Sequence, residues 1–430
     1  MNPLPNLSDW AAADHPFGKN ETLALIGDSI THAFPTYGWW MHLEQYLVTR
    51  FPFAGTKVLN LSTIGISTAK TLRRFKQEFD AQAYDSALVY LGMNDSLGTR
   101  PEELQRDYPA LLDKLAQRGK RVIGLIAPPA YDDQSPEELV PAGDSGHNNA
   151  DLEWIDRLMA QIGADRQLPV ARQFEEYRSL QQELLNHQPP LRLMGEDRIH
   201  PGPLGAALTF VRVLEALNLP GEVCSVSIAG ESVQAQNACI KALERTSDGL
   251  RFHCKPLALP YPQIEAAQTA EKLMPFRQLI SRQPLRVKGL APGRYRITMD
   301  GIRLCDATER QLAEGIDLGQ MDTLWQRQAN MTGQWILRLC QNQSELRDLR
   351  RAEYYAMGQG AESKEEIRTF IASQIDGTLF PSRYQPIFRN YLGNALDFPE
   401  RYQTLDTLWQ TAYLSALPKP ALMEIRGIEE

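Results

Sequence analysis

The chain is poor in cysteine, has no excess of basic charge and carries no long apolar run. Each shortage removes a class of function. Five cysteines occur in 430 residues, Cys224, Cys239, Cys254, Cys305 and Cys340, all in the second half. The number is odd and no CxxC spacing appears, so neither a metal knuckle nor a dense disulfide framework is indicated. They read as buried free thiols, with one disulfide among Cys224, Cys239 and Cys254 as the alternative in a secreted protein. Acidic residues outnumber basic ones, 53 against 45, for a net charge of −8. A chain-wide basic footprint for nucleic acid is therefore absent, and short basic stretches such as residues 349–351 read as solvated helix faces. No uninterrupted apolar stretch reaches membrane-spanning length. The first twenty residues lack a basic segment followed by an apolar run. The expected location is cytoplasmic, or secreted or periplasmic if a leader has been removed. There is no internal repeat and no low-complexity tract.

What is present is an ordinary globular composition, 43% hydrophobic and 23% charged, which excludes a disordered chain. The length exceeds what one core usually holds, so two or three domains are expected.

The first half alternates short apolar runs with helical patterns. Strands are expected at 22–26, 57–61, 86–91 and 121–126, with a weak fifth at 168–171. Helices are expected at 39–50, 69–79, 101–118 and 149–163, and one at 205–217 closes the segment. Apolar strands alternating with helices of this length indicate a parallel sheet covered on both faces. Residues 127–149 form a long stretch rich in Pro, Asp, Gly and Ser. It is either a lid or substrate-contacting loop or a plain surface excursion. After Asn218-Leu219-Pro220-Gly221 the pattern changes. Strands are expected at 222–228, 250–259, 285–287 and 295–299, with tight turns at Gly289–Gly293 and Asp300-Gly301, a β-meander or small sandwich. From about 311 onward charged amphipathic helices dominate, for example 343–357 and 364–375. The division reads as 1–219, a catalytic α/β domain; 220–310, a β-rich accessory region; and 311–430, mainly helical.

Residues capable of chemistry gather at strand ends, where open α/β sheets bind ligands. Ser29 directly follows the first strand, in Gly27-Asp28-Ser29-Ile30. A serine on such a turn is exposed with its N–H facing the site, although Asp-Ser is also an ordinary helix cap. Asp197 precedes His200 by three residues, followed by Pro201-Gly202-Pro203. One local turn can carry both, with the carboxylate on Nδ1 and Nε2 left for a nucleophile; the alternative is a surface turn with an incidental His. Gly65 follows the second strand, where a glycine lets a backbone N–H approach a ligand or simply makes a turn. Asn94 ends the third strand in Gly92-Met93-Asn94-Asp95. Its amide can donate to an oxyanion, or it can cap a helix with Asp95 sharing that role. Asp28 is read as supporting the turn. Tyr37, Trp39 and Trp40 read first as a core-packing stripe, and otherwise as an aromatic wall for a sugar or acyl group. His32 and His147 read as structural or solvated.

In order, spacing and strand-end placement these four blocks resemble those of the SGNH hydrolase (GDSL-like lipase/acylhydrolase) family, over about residues 21–217. The resemblance implies a flavodoxin-like three-layer α/β/α fold. It implies Ser29 as nucleophile, His200 as base and Asp197 as the group that orients it. It also implies an oxyanion hole from the Ser29 N–H, the Gly65 N–H and the Asn94 side chain, with no metal or organic cofactor. Ile30 replaces the leucine of the name-giving motif. The wider pattern, with Gly289-Leu290-Ala291-Pro292-Gly293 in the second half, is similar to multi-domain bacterial members. The expected activity is that of a serine esterase, O-deacetylating a carbohydrate or cleaving short-chain acyl esters. The alternatives are a lysophospholipase or thioesterase, and a non-catalytic glycan-binding protein on the same fold. The expected partner is a small-molecule or glycan ester. Neither a nucleic acid partner nor a membrane span is expected, and the oligomeric state stays open.

Overall fold

The structure is a computed structural model that describes residues 17–80, 82–117, 119–140, 146–375, 385–394 and 398–428. The N-terminal twenty residues and the loop at 127–149 therefore fall partly outside the described residues. The first half contains β1 (Thr22–Gly27), α1 (Ser29–His32), α2 (Trp39–Arg50), β2 (Lys57–Asn60), α3 (Thr68–Glu78), β3 (Ser86–Tyr90), α4 (Pro101–Leu115), β4 (Arg121–Ile126), α5 (Asn149–Arg166), β5 (Val170–Ala171), α6 (Phe174–Leu184) and α7 (Pro203–Ala216). The five strands pair in parallel in the order β2-β1-β3-β4-β5. This is the flavodoxin-like order, whose crevice opens at the carboxyl ends of the strands.

Strand alternation builds the layers. Leu23 and Leu25 of β1 and Leu88 and Tyr90 of β3 enter one core, shared with α2 and α7. Ala24, Ile26, Ala87 and Val89 enter the other, shared with α3, α4 and α5. Successive side chains of a strand point to opposite faces. Because both faces are covered, every residue of β3 is buried, which is why it reads as a continuous apolar run. α4 starts with proline in its first turn followed by Glu102 and Glu103, a favourable start for fixed φ and for the helix dipole.

The second half adds β6 (Ser225–Ala229), β7 (Ser232–Gln236), β8 (Ala238–Thr246), β9 (Gly249–Pro256), α8 (Glu265–Ala270), α9 (Phe276–Ile280), β10 (Pro284–Lys288), β11 (Arg294–Met299), β12 (Ile302–Thr308), α10 (Glu309–Glu314), β13 (Ile316–Asp317), α11 (Leu324–Gly358), α12 (Lys364–Ile375), α13 (Gln385–Asn394), α14 (Phe398–Ser415) and β14 (Ala421–Ile428). Two sheets form, β13-β10-β6-β7 and β12-β11-β14-β9-β8. β14 comes from the far end of the chain and pairs antiparallel with both β9 and β11. The last segment is thus helical only until its final strand returns to the β-rich region.

The halves share one continuous core, which runs from β1, α2 and α7 through Val226, Phe252 and Ile297 to Ile336 and Cys340 of α11. α2 is the hub. All twelve of its residues are buried, because the second half covers the face that a two-domain reading leaves to solvent. Gln45 Nε2 donates to Gly333 O at 3.0 Å, Tyr46 OH to Pro220 O at 2.8 Å, and Arg50 to the carbonyls of Glu222 and Ile280. Glu44 accepts from Gln343 Nε2 and Trp409 Nε1. All five cysteines are free; Cys224, Cys254 and Cys340 are buried and Cys239 is exposed. Among the described residues no helix is long and apolar enough to cross a membrane.

Candidate active site

Ser29 opens α1 immediately after β1. The sharp turn requires Gly27, since a Cβ there would lie 2.5 Å from Thr31 Oγ1. Asp28 caps the helix, its Oδ1 accepting from the Ile30 N–H at 3.0 Å. Burial pushes the Asp28 carboxyl up to about 7, against the pull of the Ile30 N–H and the field of His200. Its other oxygen is buried with no hydrogen-bond partner, as suits a carboxyl that holds its proton readily. Asp28 braces the turn.

Asp197 and His200 lie on the turn before α7. Asp197 Oδ1 accepts the backbone N–H groups of His200 at 2.9 Å and Ile199 at 3.0 Å. Its Oδ2 bonds His200 Nδ1, and His200 Nε2 stands 2.8 Å from Ser29 Oγ. Partial burial raises the Asp197 carboxyl, but the His200 ring and the two N–H groups outweigh it and hold it at about 2. The carboxylate is therefore charged at any working pH and fixes the imidazole with Nδ1 protonated and Nε2 facing the hydroxyl.

This turn is held from the side by the long loop. Arg198 sits in the left-handed region at φ 64°, a strained conformation for a residue with a Cβ. It is buried, and its guanidinium donates to Asp132 O at 3.0 Å and Val140 O at 2.6 Å. The Asp132 N–H returns a bond to Arg198 O at 3.0 Å. Arg192 adds bonds to Gly195 O at 2.7 Å and Asp132 Oδ2 at 3.3 Å. The described part of the loop at 127–149 thus fastens the turn that bears Asp197 and His200.

Ser29, Gly65 and Asn94 follow β1, β2 and β3, three adjacent strands of the sheet, at their carboxyl ends. Gly65 has φ 67°, a conformation glycine adopts without a Cβ penalty. Asn94 begins a single 3₁₀ turn. Its Nδ2 is buried without a hydrogen-bond acceptor; it lies close enough to Asp28 to lower that carboxyl's pKa, outside hydrogen-bonding geometry. Asp95 accepts from the Thr68 N–H and hydroxyl at the start of α3. It ties the Asn94 turn to the segment that follows Gly65.

The aromatic wall is corrected. Trp39 and Trp40 are buried in the core, their indole N–H groups donating to Thr31 Oγ1 and Ala33 O, so neither offers a face to a ligand. Tyr37 is half-buried and stacks on Phe34 with ring centroids 4.7 Å apart. Phe34 in turn meets the His200 ring edge-on at 6.2 Å. Phe34 also has a positive φ, 64°, and nothing in the sequence pattern singled it out. His147 bonds Ser96 Oγ at 2.8 Å and feels the charges of His200 and Asp197, so it borders the site. His32 is buried with Nε2 3.0 Å from Asp348 Oδ1 of α11, and burial pushes its pKa down to about 4. It joins α1 to α11 of the second half.

A hydroxyl, an imidazole in line with it, a carboxylate behind the imidazole and a spare buried amide donor form a set able to carry acyl transfer. A model of the GDSL-like lipase/acylhydrolase family matches residues 25–208. No curated protein matches the sequence. Among solved structures the chain is similar to BT4096, a gut microbial diltiazem-metabolizing enzyme, at 19% identity and a TM-score of 0.79, over 96% of this chain and 99% of that one. That likeness shows a shared fold along nearly the whole length. A variant of Axe2, an acetyl xylan esterase from Geobacillus stearothermophilus, matches at 19% identity and a TM-score of 0.38, over 48% of this chain and 98% of that one. A lipase/acylhydrolase from Enterococcus faecalis matches at 18% identity and 0.35, over 46% and 95%. Residues 25–208 belong to the GDSL-like lipase/acylhydrolase family, and the chain is an enzyme of that acyl-hydrolase class.

Proposed function

We propose that the chain is a serine esterase that removes short acyl groups, acetyl above all, from a carbohydrate or similar alcohol. The observation that carries the reading is the line from Asp197 Oδ2 through His200 to Ser29 Oγ, closed by the 2.8 Å contact. His200 Nε2 takes the Ser29 proton as Oγ attacks the ester carbonyl. The negative oxygen is received by the Ser29 and Gly65 N–H groups and by Asn94 Nδ2, whose lack of an acceptor in the free enzyme leaves it ready for one. The alcohol departs with the proton from His200. Water, deprotonated by the same nitrogen, then releases the acid from Ser29.

The Phe34–Tyr37 stack beside His200 supports a substrate with a flat apolar face, such as a sugar ring. The test is a matched panel of acetylated xylan, acetylated pectin, p-nitrophenyl acetate, p-nitrophenyl octanoate and diltiazem, with Ser29→Ala as the blank. Ser29-dependent acetate release from a polysaccharide supports the glycan reading. Turnover of octanoate esters alone overturns it and leaves a longer-chain acyl hydrolase.

A further inference from the structure

Where β2 leaves the sheet, α11 and α14 close over it and leave a cleft of about 630 Å³, its open mouth included. Leu59, Leu61, Leu346 and Leu405 line it together with Arg347 and Arg351. None of Ser29, Gly65, Asn94, Asp197 and His200 does.

Arg347 is 9% exposed. Its Nη2 donates to His32 O at 2.5 Å and to Ser344 Oγ at 2.9 Å. Its Nε and Nη1 are buried with no acceptor, and the Asp348 carboxylate, 4.0 Å from Nε, is too distant for a hydrogen bond. A buried guanidinium with unmet donors is unfavourable unless an anion completes it. The other charges at the wall are already engaged. Glu78 pairs with Arg74 and lies in the field of Arg351. Arg350 bonds Gln82 Oε1 at 3.3 Å and covers the Tyr402 ring. What remains, beside the Asp348 carboxylate, are the buried guanidiniums of Arg347 and Arg351 among leucines.

We propose that this cleft binds an amphiphilic carboxylate, a singly charged head on Arg347 with a short alkyl tail among the leucines. The site abuts the nucleophile helix through His32 O and does not depend on the esterase reading.

The probe is sodium octanoate, titrated calorimetrically into the full chain and into Arg347→Met and Leu405→Trp, the second filling the cleft without touching the charge. Octanol and inorganic phosphate are the control titrants. Octanoate should bind the wild type and weaken at least tenfold in both variants, while octanol and phosphate bind at least tenfold more weakly than octanoate. If Arg347→Met does not fold, Leu405→Trp decides. Unchanged octanoate affinity in Leu405→Trp overturns the proposal by placing the ligand elsewhere. Octanol or phosphate binding as tightly as octanoate overturns it by removing the head or the tail from recognition.

Discussion

The Asp95 carboxylate accepts both the backbone N–H and the hydroxyl of Thr68, at 3.1 Å each. It thereby fixes the turn that bears Asn94 against the start of α3, just beyond Gly65. Removing it unfastens two of the three proposed oxyanion donors, Gly65 and Asn94, from one another. Asp95→Ala should lower stability by about 1–3 kcal/mol, the loss expected for a capping carboxylate and its bonds. Turnover of p-nitrophenyl acetate should fall at least ~10-fold, because donors act only where they are preorganised. Asp95→Asn, which keeps an acceptor, should lose less of both. Urea melts and kcat on the same preparations make the comparison.

Arg198 gives a second positioning test. Its two bonds to the carbonyls of Asp132 and Val140 hold the turn that bears Asp197 and His200 to the loop. Arg198→Ala should destabilise by about 2–3 kcal/mol and reduce kcat more than it changes KM. Arg198→Gly relaxes the strained φ and should recover part of the stability with little of the kcat. Equal recovery of both would mean the guanidinium does not position His200.

Phe34 tests substrate contact. Its ring meets His200 edge-on, beside the place a substrate is proposed to occupy, and an aromatic packing contact with that substrate would be worth about 0.5–1.5 kcal/mol. Phe34→Ala should raise KM for an acetylated sugar ~2–10-fold with kcat little changed. An unchanged KM would remove the aromatic pair from the binding site.

A pH prediction comes from Glu44 in the centre of α2. Burial pushes its carboxyl up to about 8, from an ordinary 4.5, against the donors Trp409, Cys340 and Gln343. Between those two values the folded state keeps a proton that the unfolded state has released. The unfolded state then binds fewer protons, so stability falls as pH rises, by up to about 1.4 kcal/mol per pH unit from this one group. The contribution is complete below 4.5 and gone above about 8. Glu44→Gln should flatten the stability profile in that window. Thermal melts from pH 5 to 9 on both proteins would show it, and parallel profiles would contradict it.

The first half was legible because its physics is local. Parallel strands buried on both faces read as apolar runs, and each catalytic candidate sits directly after one. β4, α2 and α12 have the bounds that periodicity indicated. β7 was invisible because all five of its residues are exposed, leaving no alternation to read. β14 pairs with β9 and β11 across more than a hundred residues, and no short window contains such a partner. The same distance hid the burial of α2, whose outer face looks polar until Gly333, Gln343 and Trp409 satisfy it. Trp39 and Trp40 followed from the helical stripe. Phe34 and Arg198 did not, because a positive φ at a residue with a Cβ leaves no mark in the sequence.

The most direct test of the account is covalent labelling. A fluorophosphonate should phosphonylate the wild type once, at Ser29, and peptide mass spectrometry should place the adduct there. Ser29→Ala should remain folded, take no label and lose hydrolysis of p-nitrophenyl acetate, while His200→Ala should label several orders of magnitude more slowly. An adduct on another residue, or hydrolysis that persists in folded Ser29→Ala, would contradict Ser29 as the nucleophile.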